Sequence, residues 1–345
     1  MTELEKRFIA ARQAAIAADF QKLNPCQREG VLTTEGPLLL LAGAGSGKTT
    51  VLINRVANLL RYGRGSDSED IPIPVTEDEA AFLEEYAKSP DEEQRPLMQY
   101  LCAVEPARPW EVLAITFTNK AANELKERLG RMLGEEVAQD VWASTFHSAC
   151  VRILRRDIDR IGFDRSFTIY DTDDSKRVMK QCQRQLGIDD KFLNHRAILS
   201  EISNAKDALI GPQEYRATVG ADFRKGKIAE CYALYQKELL AADAMDFDDM
   251  IYNTVQLLRE NDDVLELYQN QFRYVMVDEY QDSNGVQDAI FDALTREKQN
   301  CFMVGDVKQS IYQFRLADPG IFLEKYEKYV PARQAEPGQG RKILL

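Results

Sequence analysis

The chain has 345 residues, 44% hydrophobic and 29% charged, proportions of a soluble globular protein and a length that allows two domains or one large α/β domain with an insertion. No stretch approaches the ~20 apolar residues of a membrane-spanning helix, no CxxC pair occurs among the six cysteines, and there are two histidines, so a zinc or disulfide framework is not expected and a reducing cytoplasm is. The net charge of −12 argues against a nucleic-acid partner, but residues 65–105 hold 12 Asp/Glu against Lys88 and Arg95, which leaves 42 basic and 44 acidic residues elsewhere.

In chain order, MTELEKRFIAARQ is charged and amphipathic and has no signal-peptide core. FQKLNPCQREG follows, and its Asn24-Pro25 pair favours a turn that presents Gln27. A glutamine amide carries a donor and an acceptor together, which matches the N7/N6 edge of adenine. PLLLLA (37–42) is a short apolar run of the kind found in strands covered on both faces. AGAGSGKTT (42–50) comes next and leads into the amphipathic helix VLINRVANLL. This has the spacing of a P-loop, with Ala42 where the strict pattern has glycine. The backbone of Gly43, Ala44, Gly45, Ser46 and Gly47 can close around phosphate oxygens at a helix N-terminus, with Thr50 beside them. Lys48 neutralises the β/γ-phosphates and Thr49 ligates Mg²⁺ in that arrangement. ATP and Mg²⁺ are therefore the expected cofactors.

The acidic stretch 65–105 contains Pro72, Pro74, Pro90 and Pro96, and only EDEAAFLEEYAKS within it has a helical pattern. It is expected to be a partly mobile surface insertion, either a tolerated loop or an arm that binds a protein partner or inhibits DNA binding. VLAIT (112–116) is the next strand. From Val151 to Ala244 helical periodicity dominates, broken only by FTIYD, and this is read as a helical subdomain inserted between sheet strands. DFDDMIYNTVQLLREN returns to the sheet as a helix, with Asp246 as its cap. YVMV (274–277) and Cys301–Val304 are the remaining strands. Strands alternating with helices predict an α/β fold: a parallel sheet flanked by helices, carrying an all-helical insertion.

YVMVDEYQD supplies the second half of a nucleotide site. Asp278 can hold Mg²⁺ through water, and Glu279 can act as general base on the attacking water. Past the last strand, VGDVKQSIYQFR brings Gln309, Tyr312, Phe314 and Arg315 close together. With Phe117 these rings and the cation are the groups that sequence-independent binding of single strands needs.

The motifs LNPCQ, AGAGSGKTT, ITFTNKAANEL, ASTFHSACVRILRR, DAMDFDDMI, VDEYQDSN and VGDVKQSIYQFR, in this order, resemble those of superfamily 1 DNA helicases of the UvrD/Rep/PcrA type. The likeness runs from about residue 20 to 325, the acidic stretch excepted. It implies a RecA-like P-loop domain, residues 1–150 and 245–345, and a helical subdomain, residues 151–244. It also implies ATP-driven 3′ to 5′ movement on single-stranded DNA, action at single-strand/duplex junctions, and a role in DNA repair, replication or recombination. By position, Gln27 corresponds to the adenine-reading glutamine. Lys48, Thr49, Asp278 and Glu279 keep the roles just given, and Gln309 senses the γ-phosphate. Thr116, Phe117, Asn119, Thr145, Phe146, His147, Tyr312, Phe314 and Arg315 fall at DNA-contacting positions. The closing GRKILL resembles a strand that leads to a further motif, which implies the N-terminal part of a longer helicase, poorly active alone. VKQSIYQFRLADP is also similar to AddA-type helicase–nuclease subunits. A switch that binds ATP and DNA without moving is a further alternative.

Overall fold

The protein is described here by a computed structural model covering residues 1–43, 45–296, 299–306, 308, 318–336 and 338–345. The chain forms two compact units. The first takes in residues 1–145, 269–283 and 294–345, and the second residues 146–268 and 284–293.

The first unit is built on seven parallel strands in the order β3-β2-β6-β7-β1-β9-β8. They are β1 (Leu38–Leu41), β2 (Val112–Thr116), β3 (Trp142–Thr145), β6 (Tyr274–Val277), β7 (Cys301–Gly305), β8 (Val330–Pro331) and β9 (Arg341–Leu344), with β4 and β5 in the second unit. The four strands read from apolar runs, β1, β2, β6 and β7, are buried along their whole length. They occupy the middle of the sheet, where both faces are covered by helices. The P-loop follows β1, between β7 and β9, as in the RecA-like arrangement.

Among the described residues, seven α-helices precede the second unit: α1 (Glu3–Asp19), α2 (Pro25–Leu32), α3 (Lys48–Tyr62), α4 (Glu77–Lys88), α5 (Arg95–Cys102), α6 (Asn119–Leu133) and α7 (Glu135–Asp140). The acidic stretch departs from its sequence expectation here. Its residues form α4 and α5, and Ala80, Leu83, Tyr86, Met98 and Leu101 join the same core as β1 and α3. Full burial of each large apolar side chain contributes ~1.5–3 kcal/mol, so this segment is part of the unit and not a loose arm. Its carboxylates lie on the outer face, and Glu77 and Glu84 both pair with Arg7 of α1. The charge count registered that outer face and overlooked the apolar stripe beneath it.

The second unit contains α8 (Phe146–Asp157), α9 (Thr172–Gln185), α10 (His195–Asp207), α11 (Pro212–Thr218), α12 (Phe223–Ala241), α13 (Phe247–Glu260) and most of α14 (Asp262–Gln271) and α15 (Gly285–Thr295). A two-stranded parallel ladder pairs β4 (Thr168–Ile169) with β5 (Ala244–Met245). Its span is wider than the 151–244 read from periodicity, because α8 and α13 pack against each other and α13 is tied to α10. The last helix, α16 (Pro319–Lys328), belongs to the first unit. Among the described residues, no helix is long and apolar enough to cross a membrane.

Candidate nucleotide-binding site

The site begins where β1 ends. Ala42 is buried and donates its N–H to the Gly305 carbonyl of β7 at 2.9 Å, which fixes the direction of the loop. Gly45 and Gly47 have φ of +76° and +85°, left-handed values that side chains rarely tolerate. The Ser46 hydroxyl donates to the Gly43 carbonyl at 2.7 Å and tightens the turn. Ala44 lies outside the described residues. Gly47 is the N-cap position of α3, and no side chain caps this helix, whereas α1, α2, α4 and α6 all carry side-chain caps. The first-turn N–H groups of α3 are therefore left for an external acceptor, and the helix dipole favours an anion there.

Gln27 reaches this loop from α2. Its Nε2 donates to the Ser46 carbonyl at 2.8 Å, and its Oε1 accepts from the Asn24 N–H at 3.1 Å in a capping box. A Cβ placed on Gly47 would come within 2.8 Å of that Nε2. The glutamine thus braces the P-loop, with both ends of its amide already engaged.

Lys48 opens α3 and its Nζ lies 2.7 Å from Glu279 Oε2. The Lys48 side chain is 11% exposed and that of Glu279 36% exposed. Glu279 stands in left-handed backbone, φ +52°, a cost of order 1–3 kcal/mol that aims its carboxylate at the loop. Asp278 precedes it at the end of β6 and is buried; its N–H donates to the Ile115 carbonyl at 2.9 Å. Burial, with Glu279 adding to it and Lys48 opposing it, raises the Asp278 carboxyl to about 6. A buried carboxylate at a strand end, with the Thr49 hydroxyl in the first turn of α3, is a hard-oxygen donor set suited to Mg²⁺. Thr50 is engaged differently: its Oγ1 accepts from Arg128 of α6 at 3.0 Å.

The DNA-contact candidates divide between the units. In the first, Thr116 is buried and its hydroxyl donates to the Thr118 carbonyl at 3.2 Å, which shapes the turn after β2. Phe117 is half-buried, Asn119 is exposed at the start of α6, and Thr145 is half-buried at the end of β3. In the second unit, Phe146 is 4% exposed and packs edge-on against Phe291, centroids 5.4 Å apart. Its ring is buried, unlike that of Phe117, and it is not among the groups assigned to DNA below. His147 stacks on Phe247 with centroids 4.0 Å apart. Burial lowers His147 to about 4, so at neutral pH it is an uncharged ring. Phe247 is 57% exposed and was missed in the sequence. The available signal was an aromatic at the first turn of a helix, between Asp246 and Asp248, where the core has no use for it. Gln309, Tyr312, Phe314 and Arg315 lie outside the described residues.

Against known proteins, the family model described as the UvrD/REP helicase N-terminal domain matches residues 23–85 and 96–330. All of the acidic stretch except 86–95 therefore falls inside the match, which corrects its reading as an addition to the family. "ATP-dependent DNA helicase PcrA" of Bacillus subtilis (strain 168) is 44% identical over 309 residues, 90% of this chain and 36% of that protein. The protein of the same name from Leuconostoc citreum is 41% identical over 309 residues, 90% of this chain and 35% of its own length. That from Staphylococcus aureus (strain COL) is 42% identical over 309 residues, 90% and 36%. The chain spans about a third of the length of these relatives.

Proposed function

Given that the chain belongs to the UvrD/REP helicase N-terminal domain family, we propose that its first unit binds ATP with Mg²⁺ and hydrolyses the γ-phosphate, as the motor of an ATP-dependent DNA helicase moving 3′ to 5′ along single strands. The observation that carries this reading is the 2.7 Å pair between Lys48 of the P-loop and Glu279 beyond β6. It brings the phosphate-binding cation and the carboxylate general base to one point from positions far apart in sequence.

The residues divide the work as follows. The uncapped N–H groups of α3 and the glycine backbone accept phosphate oxygens, and Lys48 exchanges its carboxylate partner for phosphate. Thr49 and Asp278 are the residues that hold Mg²⁺, which when bound neutralises charge on the phosphates. Once Lys48 has turned to phosphate, Glu279 is free to take a proton from the attacking water. Gln27 reads adenine by giving up its Ser46 or Asn24 contact, so binding of the base is coupled to movement of the P-loop.

For the strand, Phe117, Asn119 and Thr145 in the first unit and the His147–Phe247 stack in the second are the groups we assign to DNA. Stacking against an exposed ring is independent of base identity and is worth ~1–3 kcal/mol per base. Any protein contact of the acidic segment is placed at 86–95, where Asp91, Glu92 and Glu93 are exposed and the family model has no counterpart.

The test separates binding from chemistry. Lys48→Ala is expected to abolish binding of a fluorescent ATP analogue with Mg²⁺. Glu279→Gln is expected to keep that binding and lower single-turnover hydrolysis by roughly 10²–10⁴-fold. Hydrolysis surviving Glu279→Gln would remove the base assignment.

A further inference from the structure

The Glu279 carboxylate has a second partner that the proposed chemistry does not yet use. Gln281 lies two residues on, in the short 3-10 turn Tyr280–Asp282, and is 2% exposed. Its Nε2 donates to Glu279 Oε2 at 2.7 Å, the same oxygen that faces Lys48. Its Oε1 accepts the Asp306 backbone N–H at 3.1 Å. Both ends of one buried amide are thus committed, one to the carboxylate after β6 and the other to the first residue past β7. A Cβ on Gly305 would come within 2.9 Å of Gln281 Oε1 and 2.5 Å of the Phe322 ring, so the amide oxygen and the ring both pack closely against the end of β7.

This geometry has a consequence for the reacting state. While Lys48 sits on Glu279 Oε2, the carboxylate has two donors on one oxygen. When phosphate draws Lys48 away, Gln281 remains, holding Oε2 and leaving Oε1 to face water. Because the amide oxygen is fixed on the Asp306 N–H, any shift of the carboxylate is felt at the end of β7.

We propose that Gln281 is a positioning residue, which orients the Glu279 carboxylate for proton abstraction and ties its position to the backbone at Asp306. This rests on the reading of Glu279 as general base; the tie to Asp306 is tested separately. Gln281→Met keeps length and volume and removes both hydrogen bonds. Gln281→Glu keeps an acceptor for the Asp306 N–H and puts an oxygen where Glu279 needs a donor.

The measurements, made on the full chain, are affinity for a fluorescent nonhydrolysable ATP analogue with Mg²⁺, single-turnover hydrolysis at saturating ATP, and amide hydrogen exchange at Asp306. For Gln281→Met the expected result is a loss of roughly 10–100-fold in hydrolysis rate, the range seen when an orienting outer partner is removed. Affinity should stay within about threefold, and exchange should rise at Asp306 but not along β1. Gln281→Glu is expected to lose at least as much rate while keeping Asp306 protected. An unchanged rate, or affinity falling in step with the rate, overturns the orienting role. Unchanged exchange in Gln281→Met overturns the tie to Asp306. A single-turnover rate unchanged by Glu279→Gln refutes the general-base reading and the orienting role built on it, while the exchange experiment still decides the tie.

Discussion

Two lysine–carboxylate clusters, one in each unit, use the same chemistry at different depths. In the first unit Lys48 meets Glu279 with side-chain exposures of 11% and 36%. In the second, Lys206 of α10 lies 2.7 Å from Asp246 and 2.8 Å from Asp249, with exposures of 1%, 11% and 1%. Tyr235 donates its hydroxyl to Asp246 and Gln236 its amide to Asp249. Asp246 and Asp249 also form the capping box of α13. The deep cluster is satisfied from within its own unit by Tyr235 and Gln236, and it ties α13 to α10. The shallow pair lies at the glycine loop after β1, where in the proposed function phosphate takes Lys48 from Glu279. What separates a fastener from a working pair is access to a competing ligand, not the identity of the charges.

Lys206 is the more consequential of the two lysines for stability. Lys206→Met is expected to destabilise the second unit by about 3–5 kcal/mol, because two buried carboxylates lose their cation. Urea unfolding followed by fluorescence measures this. The sign of its pH dependence follows from Asp249, which burial and Asp246 push up to about 7 in the folded chain. A carboxyl raised on folding binds more protons folded than unfolded, so its contribution falls as pH rises from about 4 to 7. Without the lysine that rise is larger, and the variant's deficit should shrink between pH 8 and pH 5. A deficit independent of pH would place the loss in packing and not in charge.

Phe247 tests what the deep cluster holds in place. The ring projects from the first turn of the helix that Lys206 anchors. Phe247→Ala is expected to weaken binding of a short oligothymidine by ~1–3 kcal/mol, one stacked base. The melting temperature should hardly move, because the side chain is more than half exposed. Lys48→Ala is the counterpart in the first unit. It should change unfolding free energy by less than ~1 kcal/mol, as for partly exposed pairs, while abolishing nucleotide binding. If it destabilised as much as Lys206→Met, the distinction between the two clusters would fail.

The sequence made the centre of the sheet legible because β1, β2, β6 and β7 are continuous apolar runs. It hid β3, whose WAST holds four residues, two of them hydroxylated and half-buried at the sheet's edge. The P-loop, Asp278 and Glu279 were legible because their spacing is local. Gln281 was not, because its meaning lies in a contact with Asp306, and Phe247 was not, because its partner is His147, a hundred residues away. Gln27 was placed near the loop by its motif, but its grip on the Ser46 carbonyl was not legible.

The acidic segment gives the smallest expected effect and the finest test of how charge misled the reading. If its role is to complete the core through α4 and α5, its stability resides in Leu83, Tyr86, Met98 and Leu101, and the residues between the helices contribute little. Ser89, Pro90, Asp91, Glu92, Glu93 and Gln94 are all exposed, and the ion pair of Glu92 with its near neighbour Arg95 is of a type worth a few tenths of a kcal/mol. Replacing residues 89–94 with a Gly/Ser linker of equal length should therefore change unfolding free energy by about 0.5 kcal/mol or less. Leu83→Ala, a few residues away, should cost about 2–5 kcal/mol. The linker variant also removes three carboxylates, Asp91, Glu92 and Glu93, without touching the fold. Its affinity for single-stranded DNA at low salt should stay within twofold of the unaltered chain, since an acidic turn anchored on α4 and α5 is not free to sweep across a DNA-binding surface. A large gain in affinity at low salt that vanished at high salt would restore the inhibitory arm, and with it the view that the charge of this segment, and not its buried stripe, is what it contributes.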